Sequence, residues 1–233
     1  MAVHFIHVGK TGGTAIKRTL RRAGLPETPF GPVVLHAGHT FRLKDVPADD
    51  HALFCIRDPI ALFLSAFYSR LRKGQPRYFF EWTPAESEAF SRFQTPQMLA
   101  SGLCSRDRAL RAAAEQAMLG IRHTRALRRA LGDHKRVRSM QHQIVYIART
   151  ESLDADWRHV MALLHLPDSA TLPAGAKHSH RTDATVDLTL DETARAALTR
   201  WYAPEYRLVG LCDQIRADKG WSGEPAGSRT ESM

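Results

Sequence analysis

Three short segments carry residue types whose spacing could hold anions and move a proton. The first is His7-Val8-Gly9-Lys10-Thr11-Gly12-Gly13-Thr14. A lysine among glycines, between an apolar stretch and an amphipathic one, has the make-up of an anion-binding loop. Glycines let the backbone approach a ligand, amides at a helix start point toward negative charge, and Lys10 adds a full positive charge. The second segment is His36-Ala37-Gly38-His39. Imidazole titrates close to working pH, so either histidine could take up a proton from a reacting group. The third is Arg57-Asp58-Pro59, followed by Ser65. A guanidinium and a hydroxyl there could hold a second anion between them.

Hydrophobic periodicity indicates the elements that must position these groups. Val3–Val8 reads as a strand, and a helix begins at about Thr14 and runs to Ala23, with Ile16, Leu20 and Ala23 on one face and Gly24 just past its end. Most of the charges of Lys17, Arg18, Arg21 and Arg22 read as a solvated face. Pro26, Pro29 and Pro32 suggest an irregular connector. Val33-Val34-Leu35 and Ala52–Ile56 are further strands, short and apolar enough for a parallel sheet. One ends at His36 and the other at Arg57, and strand ends are where α/β sheets place their sites. Asp58 is a good N-cap and Pro59 suits the first helical position. Ile60, Phe63, Leu64, Phe67 and Leu71 then trace a buried helical stripe, with Ser65 beside it among Ala61 and Ser69. His4 and His7 fall inside the first strand and read as structural.

Farther along, Thr83-Pro84-Ala85-Glu86 is a capping box opening a helix to Phe93, Thr95-Pro96 opens another, and Ser105 opens a third to about Leu119. Arg122–Arg138 is strongly basic, helical as far as Leu131, with a break at Gly132-Asp133. Its plain reading is a solvated face, and its sharper one a contact for an acidic acceptor or a membrane surface. Ile144–Ala148 is a fourth strand and Ser152–Leu166 an amphipathic helix ended by Pro167. Residues 174–183, AGAKHSHRTD, make a polar loop rich in hydrogen-bond donors. Thr189-Leu190-Asp191-Glu192 is another capping box, opening a helix to Tyr202 that Pro204 breaks before a last short helix. From Gly220 the composition is that of a flexible tail.

The 233 residues suit one α/β domain, and the net charge of +9 calls for anionic ligands. The basic residues lack interleaved aromatics and form no helix-turn-helix, zinc-finger or RNA-recognition signature, so no specific nucleic-acid partner is expected. The three cysteines and twelve histidines show no metal-ligand spacing. No apolar run reaches the ~18 residues of a membrane helix, and the chain enters a strand at once without a signal peptide. A cytoplasmic location is the expectation.

Spacing separates the possible phosphate ligands. A Walker A loop requires its first glycine five residues before the Gly-Lys pair, and that position is His4. Here the glycines follow the lysine instead. No Gly-x-Gly-x-x-Gly pattern occupies this turn either. A nucleotide kinase or hydrolase using Gly9-Lys10-Thr11 stays open as an alternative, as does a non-enzymatic basic module that binds polyanions.

FIHVGKTGGTAIKRTL resembles the 5′-phosphosulfate loop of sulfotransferases that use 3′-phosphoadenosine 5′-phosphosulfate (PAPS), in the branch of heparan sulfate 2-O-sulfotransferase and bacterial relatives. The usual proline of the Ile-Pro-Lys-Thr-Gly-Gly-Thr form is missing, since Val8-Gly9 precede the lysine. IRDPIALFLSAFY is similar to the family's second motif, VVLHAGHTF to its base-bearing loop with Gly38-His39 as the matching pair, and residues 177–182 to a late segment closing over the cofactor. The resemblance implies an α/β domain with a P-loop-like fold and a central, mostly parallel sheet flanked by helices, over residues 1–215, with 216–233 as a tail. It implies a sulfotransferase that passes a sulfuryl group from PAPS to an acceptor hydroxyl and requires no metal. Amides of Thr11, Gly12, Gly13, Thr14 and Ala15 would bind the 5′-phosphosulfate with Lys10 catalytic beside them. Arg57 and Ser65 would bind the 3′-phosphate, Ser179 and Arg181 would close over the cofactor, and His39, or else His36, would be the base. The acceptor would be an acidic glycan or a glycolipid, with peripheral contact to an anionic membrane allowed.

Overall fold

The computed structural model describes residues 1–25, 27–173 and 189–221. The chain forms two compact units, Met1–Arg57 with Leu127–Ser179 and Arg207–Met233, and Asp58–Ala126 with His180–Tyr206. In chain order the elements are β1 (Val3–Ile6), α1 (Gly13–Arg22), β2 (Glu27–Thr28), β3 (Gly31–Leu35), β4 (His51–Ile56), α2 (Pro59–Leu71), α3 (Pro84–Arg92), α4 (Pro96–Leu103), α5 (Arg108–Gly120), α6 (Ala126–Leu131), α7 (His134–Ser139), β5 (Ile144–Arg149), α8 (Leu153–Leu163), α9 (Glu192–Trp201) and α10 (Ala203–Asp218). This is the expected α/β fold, with a five-stranded, mostly parallel sheet flanked by helices.

The sheet belongs to the first unit and has the order β2-β3-β1-β4-β5. β1 pairs in parallel with β3 and with β4, so Phe5 lies level with Leu35 on one side and Leu53 on the other. β5 continues the parallel set beyond β4, and β2 turns back antiparallel on β3. Strands with alternating side chains bury one set per face. Val3, Phe5, Leu53 and Cys55 share a core with Ile16 and Leu20 of α1 and with Leu153, Trp157 and Val160 of α8. The apolar strands and the two amphipathic helices thus account for each other.

The short β2 was not anticipated. Two residues are too few to show a period, and the Pro-rich connector hides them. The hairpin is held by the Thr28 hydroxyl, which donates to the Gly31 carbonyl at 2.6 Å and accepts from the Phe30 amide. Gly31 sits at φ +94°, and a Cβ there would lie 2.0 Å from the Met1 carbonyl oxygen.

In the second unit, α2 begins as its residues dictate. The Asp58 carboxylate accepts from the Ala61 amide at 2.8 Å and Pro59 opens the first turn. Ile60, Phe63 and Phe67 then pack with Phe90, Leu99 and Leu198. The Thr83 capping box forms as read, whereas α5 is capped by Asp107 rather than Ser105, and α9 by Asp191 rather than Thr189. In both cases the aspartate lies nearer the apolar stripe, and its carboxylate accepts from amides of the first turn. In the first unit, the later part of α10 runs to Asp218 with Arg216 buried, where Arg216 donates to the Ile147 carbonyl and to Asp156. The folded helix therefore passes the expected boundary at residue 215. The segment from residue 222 on lies outside the described residues.

A fully buried ion pair anchors this second unit. Arg70 donates to both Glu86 oxygens, at 2.7 and 2.8 Å, and to the carbonyls of Phe80 and Glu81. Burial alone would raise the Glu86 carboxyl, but hydrogen bonds from Arg70 and from the Thr83 and Arg122 amides outweigh it and hold the group below its usual range. Glu86→Ala would leave the guanidinium buried without its partner. It is expected to cost about 3–5 kcal/mol, read as a lower midpoint in urea unfolding, with Glu86→Gln losing less.

Candidate functional site

β1 is the central strand of its unit, and the chain leaves it for β3 on one side and β4 on the other. The carboxyl ends of three parallel strands meet at this switch of direction, which is where open α/β sheets take ligands. The loop after β1 carries Lys10, the loop after β3 carries His36 and His39, and Arg57 directly follows β4.

The loop after β1 is tightly specified. Lys10 has φ +67° and Gly12 φ +84°, in the left-handed region that an L side chain seldom enters. A Cβ on Gly12 would come within 2.9 Å of the Leu153 side chain, and one on Gly13 within 2.2 Å of the His7 ring. Glycine is the residue that fits both places. Arg57 donates from Nη1 to the Lys10 carbonyl at 3.0 Å, and the buried Thr11 hydroxyl donates to the Val8 carbonyl at 3.0 Å. Thr11 can therefore serve a ligand through its amide and not through its hydroxyl. The Ala15 amide donates to the Gly12 carbonyl at 2.9 Å, closing the first turn of α1. Ala15, expected among the ligand amides, is thus turned into the helix. Among the described residues none accepts a hydrogen bond from the amides of Thr11, Gly12, Gly13 or Thr14. Amides at a helix start that no described residue engages, on a glycine-containing loop, can hold an anion.

The two histidines are held differently. His39 Nδ1 lies 2.9 Å from the His7 carbonyl, which can only accept, so Nδ1 carries the proton and Nε2 the lone pair of the neutral ring. Its ring centroid is 4.1 Å from that of His7, the same ring that meets Gly13. His36 belongs to a chain of three groups. Asp50 Oδ2 accepts from His4 Nε2 at 2.9 Å, and His4 Nδ1 and His36 Nε2 are 2.9 Å apart. In the neutral His4 ring the carboxylate places the proton on Nε2, so that His4 Nδ1 accepts and His36 Nε2 donates. The His36 ring stacks on Phe41 with centroids 3.5 Å apart. Burial pushes the His36 imidazole below its ordinary value, and the neighbouring His4 and Lys17 push the same way.

Lys17 was read among charges that are mostly solvated, yet it is buried and its Nζ donates to the His36 carbonyl at 2.5 Å. It ties α1 to the end of β3, so the anion loop and the histidine loop are cross-linked. His4, Asp50 and Lys17 were missed as site residues. His4 sits in β1 level with Ala52 of β4, two residues after Asp50, but that closeness follows from strand order, which no local pattern states.

Ser65 is buried on α2 in the second unit. Ser179 and Arg181 lie outside the described residues. Cys55, at the end of β4, is excluded as a nucleophile, because burial pushes its thiol up to about 12. The basic segment contributes a cleft of about 270 Å³ in the first unit, lined by Arg42, Lys44, Arg128, Arg129, Asp133 and Arg136. Arg42 follows His39 by three residues. Among the described residues no three His, Cys, Asp or Glu side chains gather as a metal site, and no helix is long and apolar enough to cross a membrane.

Compared with known proteins, the chain matches the model of one family, described as the sulfotransferase family, over residues 2–210. No curated protein and no solved structure matches it.

Proposed function

We propose that this chain, which belongs to the sulfotransferase family, draws its sulfuryl group from PAPS and passes it to a hydroxyl of an acidic carbohydrate or glycolipid acceptor. The observation that carries this reading is the coupling of an anion cradle to an oriented imidazole. The cradle is formed by the amides of Thr11 to Thr14, and His39 is anchored through Nδ1 to His7, which packs on that same loop. Gly12 and Gly13 let Leu153 and His7 pack close beneath the loop, which fixes the backbone that would meet a phosphosulfate.

When bound, PAPS supplies an activated sulfuryl group for in-line transfer with a loose transition state. The chain's own residues then have separate tasks. The loop amides hold the anion, and Lys10 offsets negative charge as it develops, an effect that is usually the largest single contribution to catalysis. His39 takes the acceptor hydroxyl proton on Nε2. Burial, with His4 and Lys17 nearby, holds the His36 imidazole below its ordinary value, and His36 is the alternative base through Nδ1. Arg57 and Ser65 are assigned to the 3′-phosphate on the sequence motif, in the manner of the 2-O-sulfotransferase branch and its bacterial relatives. The acidic character of the acceptor is supported by the cleft of arginines that begins at Arg42.

Thermal denaturation tests the donor. A ligand held at about a hundred times its dissociation constant stabilises by roughly 2.7 kcal/mol, or roughly 5–10 °C for a chain of this length. 3′-Phosphoadenosine 5′-phosphate without metal should produce that rise, and ATP with magnesium much less. The reverse order would favour the nucleotide kinase or hydrolase.

A further inference from the structure

Tyr78, Phe79 and Phe80 stand consecutively on the loop between α2 and α3, and they are 45, 61 and 50 % exposed. Single exposed apolar side chains are ordinary, but three consecutive exposed aromatics on one loop call for a partner. The loop beneath them is not loose. The Phe80 amide donates to the Lys73 carbonyl at 2.8 Å, the Trp82 indole to the Arg70 carbonyl at 2.7 Å, and buried Arg70 holds the Phe80 and Glu81 carbonyls from within. Gly74, at φ +91°, has the Tyr78 ring where a Cβ would stand. These backbone groups are satisfied on the inner side, while about half of each aromatic residue stays exposed.

Cations surround the rings. The Arg122 guanidinium lies 4.4 Å from the centroid of Phe80, and the Lys73 ammonium 5.7 Å from Phe79 and 4.8 Å from Trp82. Arg77 is exposed next to Tyr78. Glu81, which pairs with Lys73, is the one acid on this tip. Two apolar phenyl rings and a tyrosine, flanked by long basic side chains, match the boundary of a bilayer. There apolar rings enter the acyl edge, tyrosine keeps its hydroxyl in the headgroup layer and cations meet anionic lipid.

We propose that the Tyr78-Phe79-Phe80 tip is a docking surface for an anionic lipid bilayer. The rings enter the interfacial layer, and Lys73, Arg77 and Arg122 face the lipid phosphates. Charge complementarity selects this occupant, since the rim is positive on a chain of net charge +9. The assignment is independent of the sulfuryl-transfer reaction, because binding can be read with no turnover.

Flotation of the full chain with vesicles tests it. Binding is expected to phosphatidylcholine vesicles that contain phosphatidylglycerol, falling as salt rises, with little binding to phosphatidylcholine alone. Phe79→Ser and Arg77→Glu should each lower partitioning on the order of tenfold while leaving the melting temperature and the rise with 3′-phosphoadenosine 5′-phosphate unchanged. Binding that neither substitution alters would place lipid contact elsewhere and overturn the proposal, as would the absence of vesicle binding or equal binding to neutral vesicles. A Phe79-dependent complex with a soluble acidic polysaccharide that vesicles do not displace would overturn it in favour of a glycan platform.

Discussion

Lys10→Ala is expected to lower kcat on the order of a thousandfold or more. Lys10 is half-buried on a loop that its neighbours already hold: Arg57 bonds its carbonyl, Thr11 bonds Val8, and Gly12 and Gly13 accept the close packing of Leu153 and His7. Those contacts run through backbone and neighbouring side chains and persist in Lys10→Ala, and the melting temperature is measured beside kcat. Removing one preorganised donor from a site of developing charge costs ~10²–10³, and a full positive charge in place of a neutral donor raises that cost. Lys10→Arg keeps charge but spreads it over a planar fork, and should recover only part of the rate. The comparison separates charge from shape. Titration with 3′-phosphoadenosine 5′-phosphate supplies the second readout. That product lacks the sulfuryl group, so its affinity should fall by much less than kcat. An equal loss in both would make Lys10 a general anion ligand rather than a group acting on the transferred charge.

Much of this site is legible in the sequence, because most of it is local. The run Gly9 to Gly13 announces a loop by composition, α1 announces itself by the spacing of Ile16 and Leu20, and Asp58-Pro59 marks the start of α2. Each depends on residues within a turn or two of one another. The strands were legible for the same reason, and their parallel arrangement followed from short apolar runs separated by helices. What was not legible depends on strand order. Placing β4 beside β1 brings Asp50 to His4, and placing β3 on the other side brings His36 to the same histidine. A histidine inside a strand reads as structural until the neighbours of that strand are known. Lys17 failed for a related reason. It occupies a helix position that periodicity leaves ambiguous, and only the carbonyl of His36, nineteen residues away, explains its burial. The aspartate caps at Asp107 and Asp191 were smaller misses, in which a stronger acceptor nearby displaced the residue that matched the motif.

His39→Ala is expected to cost on the order of 10²–10⁴ in turnover, with affinity for 3′-phosphoadenosine 5′-phosphate nearly unchanged. The geometry gives His39 a defined tautomer through its bond to the His7 carbonyl, so Nε2 is the basic nitrogen. His36 is the competitor, and its surroundings allow the two to be told apart. Its Nε2 is engaged by His4, its ring is stacked on Phe41, and burial with His4 and Lys17 nearby depresses its pKa. Protonating His36 therefore disfavours the folded state. The unfolded chain binds that proton more readily, so the resulting stability is present above the ordinary histidine range and is lost as pH falls through it. His36→Asn should remove part of this acid sensitivity in a melting-temperature profile, and Asp50→Asn should alter it by loosening the His4 tautomer. Both are positioning changes on this view and should lower turnover far less than His39→Ala does. The acidic limb of the rate profile carries the decision. If His39 is the base, that limb disappears in His39→Ala and persists in His36→Asn. If it disappears in His36→Asn and His39→Ala retains full activity, the base is His36 acting through Nδ1. The Asp50–His4 pair would then be the device that orients it, as a carboxylate orients the histidine of a hydrolase triad.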